Sequence, residues 1–257
     1  MSNYIQIPHA SLSSATTQTV ISTAVAYPVL FEDDDDVVAI SRRETTVSIN
    51  SASPCTITCV APAATILLAG TPIQFSVLSD TTKGLSLATT YYITNIAVGA
   101  ASFQLSSTIA LARAGTADKN TTGAITGTYR CISRMYFNET GDYEVIVSAL
   151  IDSTGITGFT TQQMDLWFIK GNSTSDKVGT NIPKSDTQLS FALALSSQVL
   201  SISLILDIEK NDFIRIDYRG SDTRLRLVAL PAVTSSGSTP AIPACPSIII
   251  TCKKVCR

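Results

Sequence analysis

Histidine is almost missing from this chain: among 257 residues only His9 carries an imidazole. Nucleophilic catalysis of the Ser-His-Asp or Cys-His kind needs a histidine oriented by a third group. His9 lies in a Pro-His-Ala segment, apart from any motif. A metal centre built on several imidazoles has no parts to use. Charge is scarce as well, at 15% of residues against 45% hydrophobic. A chain so poor in charge is neither a coiled coil nor a disordered acidic tail. The net charge of -2 and the pI near 5.4 offer no clustered basic excess of the sort a nucleic acid requires. No apolar run approaches the roughly 18 residues of a membrane helix. Residues 1–12 lack a basic stretch followed by an apolar one, so no signal peptide is expected. Neither Gly-x-Gly-x-x-Gly nor a Walker pattern occurs, and no cofactor is expected. Helical periodicity over ten or more residues is absent too.

What is present is alternation, cut by turns. The β-branched residues Thr, Val and Ile are abundant, and they suit pleated strands better than helices. Asp142-Tyr-Glu-Val-Ile-Val-Ser-Ala-Leu150 puts Tyr143, Val145, Val147 and Ala149 on one face. Thr223-Arg-Leu-Arg-Leu-Val228 puts Leu225 and Leu227 inward and Arg224 and Arg226 outward. Further strands are expected at Val37-Val-Ala-Ile40, Thr45–Ile49, Met164–Ile169, Leu189–Leu195, Ser201–Ile208, Asp212–Tyr218 and Ser247–Thr251. Short strands between Gly, Asn, Asp and Ser turns indicate a sandwich or barrel. Mean hydropathy is +0.27 without a membrane span. That combination suggests much buried surface, for which oligomerisation is one route.

Between about residues 51 and 130 the composition shifts to Ala, Thr and Gly. Three strands are expected there, around Ala69–Phe75, Lys83–Ile93 and Ala101–Ser106. Strands typical of one sandwich lie on both sides of this stretch. The expected organisation is therefore residues 1–50 as an N-terminal arm and first strands, 51–130 as an inserted small β module, and 131–257 as the rest of the sandwich with a C-terminal tail.

Six cysteines are candidates for disulfides: Cys55, Cys59, Cys131, Cys245, Cys252 and Cys256. On a strand, positions i and i+4 share a face but stand ~13 Å apart. Neither Cys55 with Cys59 nor Cys252 with Cys256 then forms a direct bridge. Cross-strand bridges, for example between the Cys55/Cys59 strand and Cys131, remain open, as do free buried thiols and a metal site. Asp33-Asp34-Asp35-Asp36 reads as a solvated turn between two strands; calcium is the competing reading. Asp142, Glu144, Asp207 and Glu209 alternate with apolar residues and are expected to face solvent. They form no convergent acid/base pair for glycoside hydrolysis.

Several motifs, taken in order, resemble the complement/tumour-necrosis-factor type of jelly roll found in many phage structural proteins. Ala15-Thr-Thr-Gln-Thr and Ala24-Val-Ala-Tyr-Pro-Val-Leu-Phe31 look like its opening. Phe137-Asn-Glu-Thr-Gly-Asp-Tyr143 is similar to its Gly-x-Tyr strand start. Met164-Asp-Leu-Trp-Phe-Ile-Lys-Gly-Asn172 is similar to its strand followed by a Lys-x-Asn turn. Ile208-Glu-Lys-Asn-Asp-Phe-Ile-Arg-Ile216 resembles its penultimate strand, with Asn211 where the family usually has Gly. Pro240-Ala-Ile-Pro-Ala-Cys-Pro-Ser-Ile-Ile-Ile250 resembles its closing strand. The middle segment, with Gly70-Thr-Pro-Ile-Gln-Phe, Thr90-Tyr-Tyr-Ile and Ser102-Phe-Gln-Leu-Ser, resembles a small β module that recurs inside phage tail and virion proteins.

The resemblance implies an all-β jelly-roll β-sandwich with an inserted small β domain. It also implies a homotrimer packed about an apolar axis. Phe191, Leu193 and Leu195, alternating with alanines, are the candidate trimer interface. Tyr91 and Tyr92 are candidate exposed contacts of the insertion. The implied function is that of a non-enzymatic bacteriophage structural protein on the virion surface, decorating or cementing the head against the major capsid protein or another virion protein. The alternative is host attachment, as the receptor-binding tip of a tail fibre that recognises a host surface glycan or protein. An enzyme, such as a capsule depolymerase, has no visible acid/base set to support it. The N-terminal arm, residues 2–14, is a candidate for docking by strand addition. The tail ending in Cys252-Lys-Lys-Val-Cys-Arg257 either reaches an acidic neighbour or closes the sandwich edge.

Overall fold

The computed structural model of the chain describes residues 9–31, 33–35, 40–41, 44–59, 68–87, 89–97, 102–153, 161–173, 176–191, 197–232 and 244–255. The strands, in chain order, begin with β1 (His9–Ser14), β2 (Gln18–Thr19), β3 (Tyr27–Pro28), β4 (Asp33–Asp35), β5 (Ile40–Ser41), β6 (Glu44–Ile49) and β7 (Thr56–Cys59). There follow β8 (Pro72–Leu78), β9 (Tyr91–Thr94), β10 (Ser102–Ser106), the short helix α1 (Ile109–Arg113), β11 (Ile125–Cys131), β12 (Met135–Phe137) and β13 (Gly141–Ser153). The chain closes with β14 (Gln162–Asn172), β15 (Asp176–Asn181), β16 (Thr187–Phe191), β17 (Ser197–Ile208), β18 (Asp212–Gly220), β19 (Leu225–Leu227) and β20 (Ile248–Val255). Contacts divide the chain into two compact units. One comprises Met1–Ser41, Phe137–Lys170 and Asn181–Arg257; the other comprises Arg42–Tyr136 and Gly171–Thr180.

The first unit is a jelly-roll sandwich. In one seven-stranded sheet β17 lies on β13, β13 on β20, β20 on β1 and β1 on β4, with β19 and β2 continuing beyond β20 along the same side of β13. In the other, β12 lies beside β18, β18 beside β14, and β16 beside β14, with β3 added on β18. The strand order β1-β20-β13-β17 over β12-β18-β14-β16 is that of two interleaved Greek keys, the jelly-roll connectivity. Each sheet buries one face. Tyr143, Val145, Val147, Ala149 and Ile151 of β13 are buried, as are Met164, Leu166 and Phe168 of β14. The T-shaped pair of Phe137 and Tyr143, ring centroids 4.8 Å apart, and the Tyr218 hydroxyl, which donates to the Thr19 carbonyl at 3.1 Å, join strands of different sheets.

The motif residues have local reasons. A Cβ at Gly141 would meet the Lys254 Cε at 2.6 Å, so glycine lets the lysine stem cross. Lys254 then reaches Glu139 at 2.9 Å, and the Tyr143 hydroxyl donates to the Glu139 carbonyl. Asn211, standing where the family's glycine is usual, has φ +74°. Asparagine is among the few residues other than glycine that enter this left-handed region readily. The Asn211 N–H donates to the Phe137 carbonyl at 2.9 Å. Next to it, Asp212 accepts from the Glu209 N–H at 2.8 Å and pairs with Lys170 Nζ at 3.1 Å. Lys170 also donates to the Asp207 carbonyl. Lys170–Asn172, expected as a turn, is instead the end of β14, and Lys170 ties that end to the start of β18.

The second unit holds a closed six-stranded barrel, β10-β7-β6-β11-β8-β9. Closure leaves no open edge. Its core gathers Val47, Ile49, Ile57, Ile73, Phe75, Tyr91, Ile93, Phe103, Leu105 and Tyr129. Edge-on rings link Phe75 to Tyr91 and Phe103 to Tyr129, with centroids 5.8 and 5.7 Å apart. A register shift between Thr128 and Tyr129 bends β11 against β8, as a bulge does at a barrel corner. The sequence reading assigned Thr45–Ile49 to the sandwich. The structure places it in the barrel as β6, because Ile49 faces Ile57 and Ile125 across the ladders.

Other expectations are corrected. Asp33–Asp35 is an edge strand on β1, with Ser13↔Asp33 and Ser11↔Asp35 in register, not a turn. Asp36 and the expected strand at 37–39 lie outside the described residues. Residues 9–14 of the expected arm are β1, already paired on both sides by β20 and β4. The C-terminal strand β20 is interior to its sheet, between β1 and β13, and does not close an edge.

Cys55, Cys59, Cys131, Cys245 and Cys252 are free thiols; Cys256 lies outside the described residues. The candidate disulfides are therefore not formed among the described cysteines. Cys59 lies beside the Tyr129 hydroxyl at 3.8 Å, and Cys131 beside the Ser133 hydroxyl at 3.6 Å, so both are satisfied as small core residues. Burial pushes the thiols of Cys55, Cys59 and Cys252 up from their ordinary value, which lowers the reactive thiolate fraction at any given pH.

Two outcomes are expected. A short iodoacetamide pulse on the native protein, read by mass spectrometry, labels Cys245 and leaves Cys55, Cys59, Cys131 and Cys252 unlabelled until denaturant is added; equal labelling of all five would contradict this burial. Asn211→Gly leaves the urea midpoint unchanged or higher, whereas Asn211→Val lowers stability by at least about 1 kcal/mol. A valine variant as stable as the parent would refute the left-handed turn.

Candidate functional site

The solvent-facing side of the first sheet is built from cross-strand rows. Ser13, Ile249, Ser148 and Ser201 form one; Ser11, Thr251, Ile146 and Ser203 form the next. Leu150 opposite Val199 extends the same face. From β1 to β17 these rows carry no charge; beyond β1 they are in register with Asp33 and Asp35 of β4. Charge also stands at both ends of β13, where Lys253 faces Glu144 and Asp142 faces Asp207 at one and Asp152 faces Arg226 at the other. Burial alternates along β17, so Val199 and Ile205 point away from the core and are 69% and 70% exposed. Exposed Val and Ile on a charge-poor sheet face mark a surface suited to cover by protein.

The second sheet carries a different feature on its solvent side. Along β14, Met164, Leu166 and Phe168 point into the core, which turns Asp165 and Trp167 outward. On the neighbouring β18, Tyr218 is buried and Arg219 exposed. Arg219 donates to one Asp165 oxygen at 3.0 Å, and Gln188 Nε2 of β16 donates to the other at 2.8 Å. The carboxylate is thereby fixed between its neighbours. The loop after β15 forms the opposite wall. Ser185, buried, locks that loop: its hydroxyl accepts from the Phe168 N–H at 3.0 Å and donates to the Ile182 carbonyl at 2.7 Å. The Ile182 N–H donates to the Phe168 carbonyl at 2.9 Å. Lys184 takes φ +62° at the tip. Together these enclose an open groove of about 370 Å³, lined by Asp165, Trp167, Asn181, Lys184, Asp186 and Arg219 among others.

Neither feature was singled out from the sequence. Phe191 is 1% exposed within the chain, so its ring fills this chain's own core and is not offered to a neighbour; Leu193 and Leu195 lie outside the described residues. Tyr91 is 3% exposed, and its hydroxyl accepts from the Ser86 N–H at 2.9 Å. It is barrel core, not an exposed contact. Tyr92 is half-buried, and burial raises its hydroxyl pKa. Asp142 and Asp207 face each other across an open ladder, with Glu144 next along β13. His9 pairs in register with Lys253. The signal that was available for the groove was the one tryptophan of the chain, placed on the polar phase of an otherwise clean alternation.

Among the described residues, no helix is long and apolar enough to cross a membrane. No family model matches the chain, and no curated protein matches it. Solved structures that it is similar to include a structure of Eiger TNF from S. frugiperda, at 10% identity over 84% of this chain and 94% of that one, with a TM-score of 0.30. They also include dimeric latent PorU from Porphyromonas gingivalis, at 8% identity over 96% of this chain and 24% of that one, with a TM-score of 0.26. Superpositions at this level carry no argument about function, and the jelly-roll assignment rests on the strand order itself.

Proposed function

We propose that this chain is a non-enzymatic structural protein of a virus particle, a homotrimer on the surface of the head that cements or decorates the shell. The observation that supports this most is the solvent side of the first sheet. Its middle rows, from β1 to β17, are serine, threonine, isoleucine, leucine and valine, bordered by charged residues at both ends of β13 and on β4, and Val199 and Ile205 stand out from the core. Small and β-branched residues on a flat ladder permit close approach of a second sheet or a strand edge. A second copy of this chain is the occupant proposed, because the resemblance to the tumour-necrosis-factor type of jelly roll implies three copies packed about one apolar axis. The acidic and basic residues at one end, Asp142, Glu144, Asp207 and Lys253, then lie at the mouth of the axis, where water reaches them.

The closed barrel suits a particle surface. It has its own core and no unpaired edge, so it does not invite strand-to-strand aggregation. The carboxylates Asp142, Glu144 and Asp207 lie on an open sheet face, and Asp165 in the groove is held by Arg219 and Gln188, which supports the non-enzymatic reading. As a cement, each trimer adds buried area between capsid subunits, and that area resists dissociation.

Sedimentation equilibrium of the purified chain is expected to give three times the 27.2 kDa protomer mass. Val199→Asp and Ser201→Asp, each placing a charge among the uncharged rows of the proposed interface, are expected to give folded monomers, since a buried unpaired carboxylate costs several kcal/mol. A wild-type monomer, or charged variants that stay trimeric, would sink the interface. For the location, antibody raised to barrel residues 44–131 is expected to decorate heads in electron micrographs of particles. Particles lacking the protein are expected to melt at lower temperature. Label confined to a fibre tip would replace the cement reading with host attachment.

A further inference from the structure

We infer that the groove over Trp167 is a binding site for an uncharged sugar. The inference stands on the second sheet alone and does not depend on the trimer interface of the first.

Trp167 is the starting point. An indole is the most costly side chain to leave partly uncovered on a polar strand phase, and here it floors a groove, not a flat face. A pyranose presents the matching chemistry. One face is a patch of C–H bonds that stacks on an indole, and its rim is a ring of hydroxyls that each donate and accept. Both kinds of partner stand at the groove's edge. Asp165 is an acceptor, Arg219 and Lys184 are donors, and Asn181 offers both. The side chains of Asn181, Lys184 and Asp186 line the groove and have no hydrogen-bond or ion-pair partner among the described residues. They are available to a ligand without first breaking a protein contact.

Charge selects the class. Asp165 is neutralised by Arg219 at 3.0 Å, and the remaining charges, Lys184 and Asp186, are one of each sign. A polyanion would meet Asp165 and Asp186, and a cation would meet Lys184 and Arg219. A neutral ligand rich in hydroxyls meets neither penalty. A single aromatic ring also fails to make the cage that a quaternary ammonium requires. The volume, about 370 Å³, is at the low end of small-molecule sites, the range of a mono- or disaccharide.

The site is also held ready. Asp165 is fixed from two sides by Arg219 and Gln188, and the far wall is pinned to β14 by the bond from the Phe168 N–H to the Ser185 hydroxyl and that from the Ile182 N–H to the Phe168 carbonyl. Little ordering is left to be done on binding, which matters most for weak ligands.

Because Trp167 is the only tryptophan, its emission reports on the groove directly. The full chain is titrated with maltose, lactose, cellobiose and diacetylchitobiose, and with sialyllactose and a heparin disaccharide as anionic controls. At least one neutral disaccharide is expected to shift the emission saturably, with affinity on the order of millimolar. Asn181→Ala and Arg219→Met are expected to weaken that binding about tenfold. Trp167→Ala, followed by saturation-transfer NMR of the sugar, is expected to abolish it. Asn181 is exposed and without a partner, so its variant folds even where Trp167→Ala does not, and circular dichroism checks both. No saturable response to any neutral sugar by either method overturns the inference. So does binding confined to the anionic controls, or binding that survives Asn181→Ala and Arg219→Met unchanged.

Discussion

The fold hangs on the hydrogen bonds of one strand. β13 runs from Gly141 to Ser153 and is paired on one side along nearly its whole length with β17, from Gly141↔Ile208 to Asp152↔Ser197. Its other side is shared in series, first with β20 from Asp142 to Ala149 and then with β19 from Ile151 to Ser153. β20 in turn holds β1. Strands from near both ends of the chain, β1 and β20, are therefore brought beside one central strand. Such non-local pairing is slow to form. Alternation along β13 then decides the rest: one phase, Tyr143 to Ile151, is core, and the other is the outer face, uncharged from Ile146 to Leu150 and acidic at its two ends. A one-residue slip would exchange the two. Several local devices oppose that slip. Gly141 admits only the Lys254 stem above it, the Tyr143 hydroxyl is tied to the Glu139 carbonyl, and Asp152 pairs with Arg226 at 2.9 Å.

The sandwich was legible in the sequence because its strands obey a period of two over long stretches, and because its turn motifs are local. Gly141, Tyr143, Lys170, Asn211 and Asp212 all act within a few residues of a strand end, and their identities alone pointed to a jelly roll. The presence of an insertion was legible in the same way, from a change of composition between two stretches of like pattern. The number of barrel strands was less so. β6 and β7 are short, rich in Ser and Thr, and gain their meaning only from partners far along the chain, such as Ile125 opposite Ile49.

The functional surfaces were harder to read, for a physical reason. Phe191 looked like an interface residue because its neighbours are apolar on both phases, yet one residue's burial depends on which sheet covers it. Tyr91 and Tyr92 looked like a pair of contacts; the barrel wall splits them, one hydroxyl spent on the Ser86 N–H and the other side chain half-buried. Asp33 to Asp35 looked like a turn because acidic runs favour water, but a sheet edge is also solvated, and the strand satisfies both demands. The Trp167 groove needs a loop about fifteen residues further on to fold back through Ser185, and no periodicity records that return.

The two solvent sides of the sandwich are chemically unlike, and the difference argues for a division of labour. The outer face of the β17-β13-β20-β1 sheet has uncharged rows of Ser, Thr, Ile, Leu and Val at its middle, with charged residues gathered at the ends of β13. Such a face gains by exclusion of water over a large area, which is what a neighbouring protein subunit provides. The outer face of the β18-β14-β16 sheet is laced by Arg215 with Asp217, Arg219 with Asp165, and Gln188 with Asp165. Polar groups that are already mutually satisfied gain little from burial against a large partner, since its approach would strip their remaining water. They gain from a small ligand that replaces that water hydroxyl by hydroxyl. The first sheet would face the assembly and the second would face outward in the proposed reading, and the same strand alternation that builds the core assigns each surface its chemistry.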